Sequence, residues 1–166
     1  QGWKAKDTRA NNLIVALKIF DENSDLSSVG LQNFETQFTI VFNMKQSNLL
    51  PPTGYDIFQG RPYLVMQYCE NGSCTSMAGR MEEDDILKFL HDVAAGLEYL
   101  HDHNIIHQDI KPDNIMLDDN CNFMVTDFGI SVTSTGDVYD TNGMSGGTRR
   151  YMAPERYEDR KSTRLN

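Results

Sequence analysis

Residues 107–114 read HQDIKPDN, and residues 127–129 read Asp-Phe-Gly. This pair of segments constrains the fold more than anything else in the chain. Asp109 and Asn114 stand five residues apart around a proline, and Asp127 precedes a glycine on the far side of a short hairpin. An Asp, an amide and a second Asp so arranged can hold a nucleotide's metal ions against a hydroxyl nucleophile. Ordinary turn chemistry accounts for an isolated Asp-Gly or Pro-Asp pair. It accounts for neither the spacing nor the order found here.

Other segments follow in a fixed sequence: VALK at 15–18, YLVMQYC at 63–69, KPDN at 111–114, DFG at 127–129 and GTRRYMAPE at 147–155. The series resembles a eukaryotic-type (Hanks-type) serine/threonine protein kinase. The resemblance covers residues 1–158 and implies an α+β, bilobal protein-kinase-like fold, truncated at both ends. On this reading residues 1–69 form a small β-rich lobe with one helix and a hinge, and residues 70–158 begin a helical large lobe through its activation segment. Residues 159–166, DRKSTRLN, read as the translation of a sequencing adapter and are set outside the fold. Most of the family's glycine-rich loop is expected to precede residue 1. Gly2 then takes either the place of the valine that covers the adenine or that of the loop's last glycine. A piece of a kinase domain exposes surface that further helices would cover, so the fragment alone is expected to be inactive and poorly stable.

Composition excludes more than it identifies. The chain has 166 residues, 39% of them hydrophobic, which is ordinary for a globular protein. A net charge of −9 argues against a sequence-independent nucleic-acid binder, which needs a basic face. The longest apolar runs, such as residues 13–17, fall far below the roughly 20 residues that span a bilayer, so no membrane insertion is expected in this segment. Three cysteines, Cys69, Cys74 and Cys121, have neither a disulfide-framework count nor metal-ligand spacing, which suits a reducing interior. The expected location is the cytoplasm, or the cytoplasmic domain of a larger membrane protein. Acidic residues at 82–85 and 118–119 read as a helix N-terminus and a solvated hairpin turn.

The periodicities agree with this order of elements. Residues 13–20 are an apolar run of strand length. Within 29–45, Phe34, Phe38, Val41 and Met44 recur at helical spacing, and two strands are expected near 55–58 and 63–68. Ile86, Leu90, Val93, Leu97 and Leu100 predict a buried helix over 84–102, followed by a hairpin of 115–117 with 123–125.

The resemblance assigns roles residue by residue. Lys18 would hold the α- and β-phosphates of ATP, Asp127 would bridge Mg²⁺ between phosphates, and Asn114 would give the neutral oxygen for a second ion. Asp109 would accept the substrate hydroxyl's proton, with Lys111 neutralising the γ-phosphoryl group in flight. Met66 would guard the back of the adenine pocket, the backbone of Gln67 and Cys69 would bind the adenine edge, and Ala16 and Met116 would sandwich the ring. Thr148 would hydrogen-bond near Asp109 and shape the platform for the acceptor; with Lys111 it places the chain on the serine/threonine-specific branch. His107 would pack against Phe128 in a structural role, and His91, His101 and His103 would lie at the surface.

Two departures stand out. Counting back from QSNLL at 46–50 puts Gln37 where the family carries the Glu that pairs with the strand lysine. Glu35, two residues away, is rotated by about 200° on a helix. Gln108 replaces an Arg that clamps a phosphorylated activation loop, so activity is expected not to depend on phosphates at Thr141 or Ser145. The function implied is ATP-dependent phosphorylation of serine and threonine hydroxyls on protein substrates. Alternatives are a pseudokinase acting as a nucleotide-binding or scaffold module, favoured by Gln37 and Gly2, and a small-molecule phosphotransferase, opposed by GTRRYMAPE.

Overall fold

The computed structural model describes residues 2–20, 28–130, 149–151 and 154. A four-stranded antiparallel sheet comes first, built from β1 (Gly2–Asp7), β2 (Leu13–Ile19), β3 (Gly54–Phe58) and β4 (Arg61–Gln67) in the order β1-β2-β4-β3. Helix α1 (Ser28–Phe42) is inserted between β2 and β3. Helix α2 (Glu83–Asp102) and a small hairpin, β5 (Ile115–Leu117) with β6 (Phe123–Val125), follow. No described helix is long and apolar enough to cross a membrane.

Local chemistry sets these elements. The β1–β2 turn closes on Asp7, whose Oδ1 accepts from the backbone N–H groups of Arg9 and Ala10, and Asn11 and Asn12 take the positive φ that the turn requires. Gln59 and Gly60, both at positive φ, make the two-residue link between β3 and β4. Helix α2 begins in a capping box: Glu82 and Asp85 each bond the other's backbone N–H, with Glu83, Asp84 and Asp85 in the first turn. The expected acidic helix start is therefore present. The polar turn at 118–122 is tied by Asp118, which accepts from the N–H groups of Asn120 and Asn122 and from the Asn122 amide.

The main core lies between α1, α2 and the β5–β6 hairpin. Val41, Leu49, Val93, Leu100, Ile115, Phe123, Val125 and Phe128 are all buried there. Burying each such side chain contributes about 1.5–3 kcal/mol. Gly96 permits the closest approach: a Cβ there would stand 2.8 Å from the Asn48 carbonyl oxygen, so α2 seats directly on the 48–49 backbone. That backbone in turn joins β6, through Val125 N–H donating to Asn48 O at 2.8 Å and Leu50 N–H donating to Val125 O at 2.9 Å.

The structure corrects the sequence reading at three places. Strand β2 ends at Ile19 and α1 at Phe42, although Met44 is still buried beyond the helix end. Helix α2 has the expected length, yet its apolar stripe is covered only in its second half. Val93 and Leu100 are buried, whereas Ile86 and Leu90 are 45% and 57% exposed. The 3.6-residue rhythm identifies a face that is apolar; it does not say how much of that face is covered here.

Candidate active site

Helix α2 delivers the chain to residues 105–111, and the Pro112–Asn114 turn feeds β5. Proline at the first position of that turn has the φ the turn needs and no N–H to satisfy. Asn114 is buried, and its Nδ2 donates to Asp109 O at 2.9 Å. The backbone closes the same circle, because Thr126 N–H donates to Asn114 O at 3.0 Å. His107, also buried, donates from Nε2 to Thr126 O at 2.7 Å and accepts the Asp109 N–H on Nδ1 at 3.2 Å. Both imidazole nitrogens are thus used in holding Asp109 and Asp127's neighbour in place, which is a positioning role. Gln108 and Asp127 are non-glycine residues at positive φ, 65° and 69°, so the backbone is strained at Asp127 and immediately before Asp109.

The charged groups converge on the cleft between the sheet and this loop. Lys111 Nζ lies 3.0 Å from Asp109 Oδ2, and both side chains are 22% exposed. Lys18, on β2, forms an ion pair with Asp127 Oδ1 across the cleft. Among the described residues Asp127 Oδ2 and Asn114 Oδ1 take part in no hydrogen bond, and both are the hard oxygen donors that Mg²⁺ prefers. No three His, Cys, Asp or Glu side chains of the described residues converge on a metal position.

Beside this polar centre is a cavity of about 240 Å³. Ala16, Met66, Gln67, Cys69 and Met116, all expected from the sequence, line it together, and so does Gly2. Gly2 pairs with Lys18 in the β1–β2 register, and a Cβ at Gly2 would meet nothing within 4 Å. A smaller cavity, lined by Lys18, Met66, Asp127 and Phe128, continues it toward the charged groups. Burial, with the nearby Asp118 and Asp119 charges, pushes the Cys69 thiol up, so it faces the cavity as a neutral group. Sequence reasoning missed Thr126, whose hydroxyl donates to Leu50 O at 3.4 Å at the cavity wall. Its position directly before Asp127 was the available signal. Thr148, Thr141 and Ser145 lie outside the described residues.

Helix α1 brings Gly30, Phe34, Gln37 and Val41 onto one inward stripe. Gln37 is therefore the half-buried member facing inward, and Glu35 is exposed, accepting a hydrogen bond from the Tyr55 hydroxyl at 3.0 Å. Val41 meets the Asp-Phe-Gly turn itself: a Cβ on Gly129, where φ is +72°, would stand 2.6 Å from Val41 Cγ1.

A β-sheet lobe carrying one helix, a helical lobe below it, and a cleft where a lysine, two aspartates and an asparagine meet define the protein kinase class. Consistent with this, the protein kinase domain family matches residues 4–165, and the chain belongs to that family. It is 31% identical over 150 residues to CBL-interacting serine/threonine-protein kinase 2 of Arabidopsis thaliana, covering 87% of this chain and 32% of that protein. CBL-interacting protein kinase 26 of Oryza sativa is 31% identical over 165 residues, 93% of this chain and 33% of its own length. The leucine-rich repeat receptor-like serine/threonine/tyrosine-protein kinase SOBIR1 of Arabidopsis thaliana is 31% identical over 97% of this chain and 28% of its own. The chain thus spans about a third of the length of these curated relatives.

Proposed function

We propose that the protein carrying this chain transfers the γ-phosphoryl group of ATP to serine or threonine hydroxyls of protein substrates. The observation that carries the reading is the convergence of Lys18, Asp109, Lys111, Asn114 and Asp127 on one cleft beside an apolar cavity of adenine-binding character. Asp109 orients the acceptor hydroxyl and takes its proton as the new P–O bond forms and the bond to the ADP oxygen breaks. Lys111, already 3.0 Å from Asp109, neutralises charge on the group in transfer. Lys18 would turn from Asp127 to the α- and β-phosphates, and Asp127 and Asn114 would then hold Mg²⁺, which when bound would neutralise charge on the phosphates. Ala16, Met66, Gln67, Cys69 and Met116 line the cavity; on this reading the apolar side chains would enclose the adenine, and the backbone of Gln67 and Cys69 would bond its edge.

The intact set of charged groups speaks against a pseudokinase, which Gln37 and Gly2 alone favoured. A cytoplasmic setting for this domain follows from the reading itself, since the proposed reaction consumes ATP. Thr148 is assigned to the acceptor platform on the serine/threonine pattern. The test is transfer of radiolabelled γ-phosphate by the full-length protein to serine, threonine and tyrosine peptides and to free small hydroxyl compounds. Serine and threonine peptides are expected to be labelled. Nucleotide binding without labelling of any acceptor contradicts the reading in favour of a binding module, and labelling of small hydroxyl compounds alone contradicts it in favour of a metabolite kinase.

A further inference from the structure

At the edge of the larger cavity two lining side chains, Lys4 and Tyr68, meet Glu70, and the transfer chemistry uses none of the three. Lys4 of β1 extends its Nζ to 3.3 Å from Glu70 Oε1 and stands 4.1 Å from the centroid of the Tyr68 ring. Lys4 and Tyr68 both line the cavity, and Glu70 follows Cys69 directly, so the contact joins the sheet's first strand to the segment that links the two lobes. Strand β1 is an edge strand whose only strand partner among the described residues is β2. Its side chains are mostly exposed, with Trp3 at 56%. Little apolar burial therefore holds β1 over the cavity mouth, and a charged contact reaching across 66 residues of sequence has leverage there.

We propose that Lys4, Tyr68 and Glu70 form a clasp over the cavity mouth that opens for an adenine nucleotide to leave, so that these residues set how long the nucleotide stays bound. The inference rests on the reading of this cavity as the nucleotide site. The physical basis is twofold. An ammonium over an aromatic face and beside a carboxylate is held by two attractions at once. Both charges remain about half exposed, with side-chain exposures of 49% and 65%, so dissolved salt screens the pair and loosens the clasp. A cation held in this way also keeps β1 from rocking off the linking segment while leaving the phosphate end of the cleft untouched.

The test is stopped-flow release of a fluorescent adenine nucleotide, mant-ADP, from the full-length protein. Glu70→Gln, which removes the exposed ion pair, is expected to speed release about two- to fivefold, and Lys4→Met, which removes both contacts, somewhat more. The double variant should release no faster than Lys4→Met alone, because Lys4→Met already removes the ion pair that Glu70→Gln removes. Raising salt to about 0.5 M should narrow the gap in release rate between the wild type and Lys4→Met, because it screens the Lys4–Glu70 pair only where that pair exists. Tyr68→Leu, which removes the ring face, should speed release. Wild-type release rates in both single variants, or fully additive effects in the double, overturn the clasp while leaving the nucleotide site intact. Failure of the wild type to bind mant-ADP overturns the nucleotide reading, and the clasp with it.

Discussion

The loop at 107–114 and helix α1 both border the Asp-Phe-Gly turn, yet different forces hold them there. The loop is fixed by a buried polar network of short sequence reach. His107 bonds Thr126, nineteen residues on, and Asn114 bonds Asp109, five residues back. Helix α1 is fixed by apolar contacts from distant parts of the chain: Phe34 and Phe38 both pack on Tyr55 of β3, and Val41 presses on Gly129. The comparison teaches that Asp109, Asn114 and their neighbours form a nearly self-contained unit, to which β2 adds Lys18 across the cleft. The position of α1 is set by apolar packing and meets that unit at one joint, Val41 against Gly129.

The largest expected effect tests the loop side. Asp127→Ala should lower phosphoryl transfer by at least about 10³-fold and remove the Mg²⁺ dependence of nucleotide binding, read by transfer assay and by titration calorimetry. Retained Mg²⁺ dependence would move the metal elsewhere. The next effect tests the joint between the two regions. Gly129→Ala places a methyl against Val41 at a positive φ, and should cost about 1–3 kcal/mol in a denaturant melt. In a Val41→Ala background the same substitution should cost less by the part that comes from the clash and keep the part that comes from φ.

A smaller effect tests α1 alone. Gln37→Glu places a carboxylate on the inward stripe, where it can hold Lys18 away from Asp127, and should tighten ATP binding about two- to fivefold. Glu35→Gln should leave ATP binding unchanged, because Glu35 accepts from Tyr55 instead. The reverse pattern would mean that α1 turns about its axis when nucleotide binds.

The smallest effect is a pH dependence in the frame beneath the loop. Burial opposes charge on Asp92, but Lys88 at 2.8 Å, the Phe123 N–H and His91 outweigh it and hold the carboxyl below its ordinary value of 3.8. A carboxyl lowered in the folded state contributes stability that is fully present above the unfolded value and is lost as pH falls through the folded one. The stability gap between wild type and Asp92→Asn should therefore be flat near neutral pH and shrink only below about pH 4. A gap that grows on acidification would contradict the assignment.

Much of the candidate site was legible in the sequence because its contacts are local. Pro112 sets the turn that brings Asn114 back onto Asp109, and the Asp118 turn fixes the hairpin that presents Asp127. The stripe containing Gln37 was legible too, from the spacing of Phe34 and Val41. Contacts made between distant segments were not. No pattern announces that Lys18 pairs with Asp127, that Gly96 admits the Asn48 carbonyl, or that Lys4 reaches Glu70. Ile86 and Leu90 show the same lesson in reverse, since periodicity marks an apolar face and coverage depends on what packs against it.

The most direct test of the central claim separates binding from transfer in one variant. Asp109→Ala removes the proposed proton acceptor while leaving Lys18, Asp127 and the adenine-lining residues in place. In the full-length protein it should bind Mg²⁺ and ATP with wild-type affinity and transfer phosphate to a serine peptide orders of magnitude more slowly. Turnover at the wild-type rate by Asp109→Ala would contradict the account.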